Sequence, residues 1–255
     1  IGMNALMTED TGAKNTAIGY ESMKVLNYDG DGYNTAIGHQ TMLAATGAIE
    51  NVAIGGNAAI ALETGDGNVI IGTGTGAGTT DVDNAVIIGH AAAQGVMTSD
   101  ADGTVAIGKS ALATLTTGEK NVAIGKSAGA AMTTSDGNVI IGHNAYAAGN
   151  NANLTGHNVM IGSGVCDTGA NANIRENVFI GYEVAAAVID HAALKNTGIG
   201  KACFAGLTTG TETICIGRGA GGNFTTGNSC IYIGNDNTAL VGTGDMEIVI
   251  GAGSK

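Results

Sequence analysis

The sequence predicts an all-β parallel solenoid of about fifteen rungs of 17 to 20 residues, and three observations predict it. An Ile-Gly dipeptide recurs along all 255 residues, 44 residues are glycine, and proline and tryptophan are missing. Recurrence at a fixed period marks stacked repeats, each rung burying its apolar side against its neighbours. The isoleucines are Ile1, Ile18, Ile37, Ile54, Ile71, Ile88, Ile107, Ile124, Ile141, Ile161, Ile180, Ile199, Ile216, Ile233 and Ile250. Nine of the fourteen intervals are 17 residues and the rest are 19 or 20. Insertions are thus absorbed without loss of register, at 27–33, 99–103 and 148–156. Helix is the rival for such Ala-rich repeats. A glycine every few residues costs about 1 kcal/mol each in a helix interior, which excludes it.

The strand of each rung is read from the columns around Ile. Two residues earlier stand only β-branched residues, from Thr16 and Thr35 through Val52 and Val69 to Ile248. Residues two apart on a strand share a face, so this column and the isoleucines are expected to stack into an interior ladder. The core ladder is therefore expected at Ile18, Ile37, Ile54, Ile71, Ile88, Ile107, Ile124, Ile141, Ile161, Ile180, Ile199, Ile216, Ile233 and Ile250. Gly after Ile permits a bend, the small residue four after Ile lets a second short strand pass close behind, and Thr-Gly or Asp-Gly turns close the rung.

The residue just before Ile points to the opposite face and is never charged. The expectation is a face covered by another copy of the chain, most simply in a trimer, with Ile70, Ile87, Ile140, Met160, Phe179 and Tyr232 at the subunit interface. Three residues before Ile stands Asn in nine rungs, including Asn34, Asn51, Asn68 and Asn158, which predicts an amide ladder. Two after Ile come Tyr20, His39, His90, Lys109, Lys126, His143, Tyr182, Lys201 and Arg218. That stripe either pairs with carboxylates of a neighbouring subunit, the preferred reading, or meets an anionic ligand such as an acidic polysaccharide.

Net charge is −12, which argues against nucleic-acid partners, and no apolar run is long enough to insert in a membrane as a helix. Cys166, Cys203, Cys215 and Cys230 lack metal-ligand spacing and read as small hydrophobes, with disulfides between rungs as the alternative. No cofactor is expected, and the carboxylates of turns such as Asp29 and Asp31 give only a weak possibility of calcium. No catalytic motif is present and no catalytic residue is nominated. Asn153 and Asn223 lie in Asn-x-Thr sequons.

The segments Asn15–Ser22 (Asn-Thr-Ala-Ile-Gly-Tyr-Glu-Ser) and Asn121–Ala128 (Asn-Val-Ala-Ile-Gly-Lys-Ser-Ala) resemble the head repeats of trimeric autotransporter adhesins and similar arrays in bacteriophage tail fibres. The resemblance spans essentially the whole chain, although the rungs are longer than those of adhesin heads. It implies a left-handed β-roll, a parallel homotrimer and attachment to a host-surface receptor or polysaccharide, outside the cell on a virion or cell surface. Residues 1–255 are then one solenoid domain, a segment of a longer fibre or a unit that stacks end to end. Two other functions fit parts of the pattern. Ile107-Gly-Lys-Ser-Ala-Leu matches one hexapeptide of a left-handed β-helix acyltransferase, and recurring Thr pairs such as Thr116-Thr117 and Thr225-Thr226 suggest an ice-binding solenoid.

Overall fold

The computed structural model describes residues 1–148, 156–167, 174–186, 193–237 and 243–253. It is an all-β parallel solenoid in two compact units, residues 1–126 and 127–255. The first unit holds β1 (Thr16–Ile18), β2 (Thr35–Ile37), β3 (Val52–Ile54), β4 (Val69–Ile71), β5 (Val86–Ile88), β6 (Val105–Ile107) and β7 (Val122–Ile124). The second holds β8 (Val139–Ile141), β9 (Val159–Ile161), β10 (Val178–Ile180), β11 (Thr197–Ile199), β12 (Ile214–Ile216), β13 (Ile231–Ile233) and β14 (Ile248–Ile250).

Within each unit every strand pairs in parallel with the next in sequence, isoleucine opposite isoleucine, as in Ile18 with Ile37 and Ile161 with Ile180. The strands are the triplets whose first and third residues are β-branched, and each ends at the glycine after Ile. At that glycine φ is strongly positive, +132° at Gly108 and +135° at Gly125. A Cβ on Gly108 would stand 2.5 Å from the carbonyl oxygen of Gly125 in the next rung, so both conformation and packing require glycine. An insertion at 99–103 is taken up by a short 3-10 turn over Ser99–Ala101, with Ala101 buried.

Among the described residues the expected second strand is not formed. After the glycine the chain alternates between ordinary and left-handed residues, with φ of +53° at Glu21 and +47° at Met23, and their counterparts Gln40 and Met42 repeat this. Alternation turns successive N–H groups to opposite sides, so they bond to different rungs. Glu21 donates to Met3 O at 3.0 Å in the rung before, and Met23 donates to Thr41 O at 3.0 Å in the rung after. The segment is knitted to both neighbours without β dihedrals, which satisfies its buried backbone.

The orientation of the strands reverses the sequence expectation. The middle residue of each triplet from β1 to β13 is the buried one, Val249 of β14 is half-buried, and the outer two are half-buried or exposed. Ala53, Ile70, Ile87, Ile140, Met160, Phe179 and Tyr232 are fully buried within the chain, so the six of these expected at a subunit interface are core residues. The ladder from Ile18 to Ile250 faces outward, Ile18 being 40% and Ile216 37% exposed. Stacking one strand spacing apart is as expected, but the isoleucines do not line the interior. The reason is room: in rungs such as the first, the strand's middle residue shares the interior with the positions five and eight after Ile, Ala17 with Met23 and Leu26, all buried. Only a column of varied size can adjust to those partners.

The amide ladder is formed, and it lies inside. Asn51 Nδ2 donates to Asn34 Oδ1 at 3.2 Å, and Asn68 Nδ2 donates to Asn51 Oδ1 at 2.9 Å. Each Oδ1 also accepts the next backbone N–H, 3.0 Å from Asn51 and 2.9 Å from Asn68. Asn51 Nδ2 further reaches Gly65 O at 2.8 Å, tying strand to closing turn. The second unit repeats the arrangement from Asn138 to Asn158 to Asn177. Where Thr213 replaces Asn its hydroxyl still accepts the N–H of Cys230 at 3.2 Å.

Candidate functional site

Two surfaces stand out on each unit, a flat apolar ladder and a stripe along its edge. The ladder consists of the first and last residues of every triplet. In unit 1 it runs from Thr16 and Ile18 to Val122 and Ile124, and in unit 2 from Val139 and Ile141 to Ile248 and Ile250. Every member is β-branched, none is charged, and all are half-buried or exposed. A repeated two-residue apolar row is unusual on a solvated strand, which commonly carries polar side chains on its outer face.

The stripe two residues after Ile begins where the glycine turns the chain away from the strand. Tyr20, His39, His90, Lys109, Lys126, His143, Tyr182, Lys201 and Arg218 are all exposed. In-register pairing brings adjacent members together. The Tyr20 and His39 rings stack with centroids 5.3 Å apart, and the Lys201 ammonium sits 5.4 Å from the centre of the Tyr182 ring. Arg218 pairs with Asp236 of the following rung. The nearby Glu21 carboxylate accepts from Lys24 Nζ at 2.7 Å and Gln40 Nε2 at 2.8 Å. These two donors, Lys24 first, pull its pKa down to about 2.

Acidic residues gather at the turn before the Asn column. Asp66 Oδ1 accepts the N–H of Ile49 at 2.9 Å, Asp83 that of Asp66 at 2.7 Å, and Asp102 that of Asp83 at 2.7 Å. Burial, and then repulsion from Asp83, Asp81 and Asp100, raises the Asp102 pKa. In the same position of unit 2, Asn228 Oδ1 accepts from Thr211 N–H at 3.2 Å, so the position caps a backbone N–H whether charged or not.

The two carboxylates considered for calcium are otherwise engaged. Asp31 holds Lys14 Nζ at 2.6 Å, and Asp29 accepts the Thr11 hydroxyl. Among the described residues no cluster of three His, Cys, Asp or Glu side chains is placed to hold a metal. All four cysteines are free and buried, so the inter-rung disulfide alternative is not realised, and burial pushes the Cys203 thiol up to about 12. Of the Thr pairs, Thr208 and Thr209 both donate backbone N–H to Thr225 O, at 3.0 and 3.1 Å, in turns away from the flat ladder. Among the described residues each rung carries one three-residue strand, where the hexapeptide enzymes need three strands to a coil. Asn223 is exposed, and Asn153 lies outside the described residues.

The apolar face was legible only as a pair of columns, not as a surface. A partial signal for its orientation was present in the sequence: in several rungs the residue before Ile and the one five after it are complementary in size, as in Ala17 with Met23, Ile70 with Gly76 and Gly198 with Phe204, though not in Ala53 with Ala59 or Ile140 with Tyr146. Compared with protein-family models, curated proteins and solved structures, the chain matches none.

Proposed function

We propose that this chain is a structural and adhesive segment of an elongated homotrimeric surface fibre, without catalysis, of the phage tail fibre or bacterial adhesin head kind. The observation that carries the reading is the half-exposed double ladder of Val, Ile and Thr on every rung of each unit. A row of β-branched side chains at strand spacing is self-complementary to copies of itself, and burying it contributes roughly 25 cal/mol per Å² of apolar surface. Three copies around an axis would close such a face, and identical rungs make contacts of one kind along its length. The seam is thus the isoleucine ladder, not the column before it. Attachment, extracellular placement and the left-handed coil rest on the resemblance of the Asn-x-Ala-Ile-Gly arrays to adhesin heads and tail fibres. The exposed corners and turns are the surfaces a host receptor would meet.

Sedimentation equilibrium of the intact chain tests the assembly. The expected mass is three times 25.0 kDa. Ile107→Asp places a charge on the seam at a half-exposed site, so the coil is expected to fold, by far-ultraviolet dichroism, yet to sediment as a monomer. A parent protein that stays monomeric at micromolar concentration overturns the reading.

A further inference from the structure

We infer that His90, Lys109 and Lys126 form an anion-binding stripe for an extended acidic polysaccharide. This names a ligand class for the attachment role proposed above and rests on that reading for its biological sense. The three residues occupy the same position after β5, β6 and β7, which pair in unbroken register. Their side chains therefore emerge in a line, one strand spacing of about 4.8 Å apart, and all three are exposed.

What separates this stretch from the rest of the stripe is the lack of partners. Lys14, Lys24, Lys120, Arg175, Lys195 and Arg218 each pair with a carboxylate, and Lys201 lies over Tyr182. Among the described residues Lys109 and Lys126 have neither. No acidic residue occurs in 88–97, 107–116 or 124–133, the parts of these rungs that leave the strand. In the far turns Asp102 accepts the Asp83 N–H at 2.7 Å and Glu119 pairs with Lys120 at 2.8 Å.

Pairing between copies is poorly served here. Beside Asn84, Gly103 and Lys120 on the opposite edge of the sheet, the carboxylates of these rungs are turned to their own chain, Asp83 to the Asp66 N–H, Asp102 to the Asp83 N–H and Glu119 to Lys120. In a chain of net charge −12 a basic line one residue wide suits a linear polymer with anionic groups at intervals, held by several weak contacts at once. A broad polyphosphate surface such as duplex nucleic acid would meet the acidic turns on either side. Ser110 and Gln94 flank the line with groups that can hydrogen-bond to sugar hydroxyls.

Calorimetric titration of the full chain at low ionic strength tests this, with dextran sulfate and polygalacturonic acid as probes and neutral dextran as reference. At least one acidic polymer should bind, neutral dextran should not, and added salt should weaken the complex. Lys109→Gln with Lys126→Gln should lower affinity about tenfold or more, whereas Lys120→Gln, an equally exposed but paired lysine, should leave it within about twofold. No binding by the parent, unchanged binding by the double variant, or an equal loss in Lys120→Gln overturns the inference. So does a double variant that changes sedimentation mass, since the lysines would then join copies. A parent that binds the acidic polymer while sedimenting as a monomer refutes the trimeric fibre and leaves the stripe standing.

Discussion

The ring of Phe204 occupies the space that a side chain on Gly198 would need. A Cβ on Gly198 would stand 2.9 Å from Phe204 Cδ2, inside contact distance, and also 2.9 Å from Val184 Cγ1. Phe204 in turn packs edge-on to Phe179 at 6.0 Å and against Phe224 at 6.0 Å. In these rungs size is traded between the two positions, as it is where Gly76 lies beside Ile70 and Gly221 beside Cys215.

Phe204→Ala should cost about 3–5 kcal/mol of unfolding free energy, and Gly198→Val alone should also destabilise by overpacking. The double variant Gly198→Val with Phe204→Ala should be more stable than the sum of the two losses implies. Urea denaturation of the four proteins measures this. Strict additivity would contradict volume exchange between the two sites.

Gly108→Ala should lower stability sharply, because a Cβ there meets the next rung's backbone at a φ of +132°. Gly56→Ala should be neutral or stabilising by a few tenths of a kcal/mol, since nothing lies within 4 Å and no positive φ is required. Thermal melting of the two variants separates a glycine demanded by stacking from one that merely occupies a corner.

Removing one rung of the amide ladder should leave buried groups of the following rung unpaired. Asn51→Ala takes the acceptor from the Asn68 backbone N–H and the donor from the Gly65 oxygen, with an expected loss of about 1–3 kcal/mol per group. Asn51→Thr should recover part of the loss, as Thr213 does in unit 2 by accepting from Cys230. Equal stability of the Ala and Thr variants would show that the ladder contributes nothing.

Acid should weaken the first unit through Glu21. Its folded pKa is depressed from 4.5 to about 2, so the stability it adds is fully present above about pH 4.5 and lost as pH falls through about 2. The difference in melting temperature between the parent and Glu21→Gln should be largest at neutral pH and shrink steadily below pH 4.5. A constant difference down to pH 2 would assign the effect to packing.

Asp102 carries the opposite sign. Its raised pKa means that the folded state resists ionisation, so the group's contribution falls as pH rises above its ordinary value of 3.8. Asp102→Asn should raise stability at neutral pH and leave it nearly unchanged in acid, because an amide oxygen can still accept the Asp83 N–H, as Asn228 does for Thr211. Destabilisation at neutral pH would count against repulsion among these carboxylates.

The amino-acid sequence alone determined the repeat, its register and its strands, because every rung presents a triplet with β-branched residues first and third, the same glycine and usually the same asparagine. Insertions change the turns without moving these columns, so the pairing of Ile18 with Ile37 is written into the spacing. Which face of the triplet turns inward was decided only in three dimensions. Side-chain alternation fixes that Ala17 and Ile18 point apart, but both columns are uncharged, so hydropathy could not orient them. Packing did, since Met23 and Leu26 must share a layer with one of them and only the column of varying size can yield the room. The second pass of each rung was likewise hidden, because alternating left-handed residues such as Glu21 and Met23 satisfy their N–H groups across rungs while carrying side chains that any strand could hold.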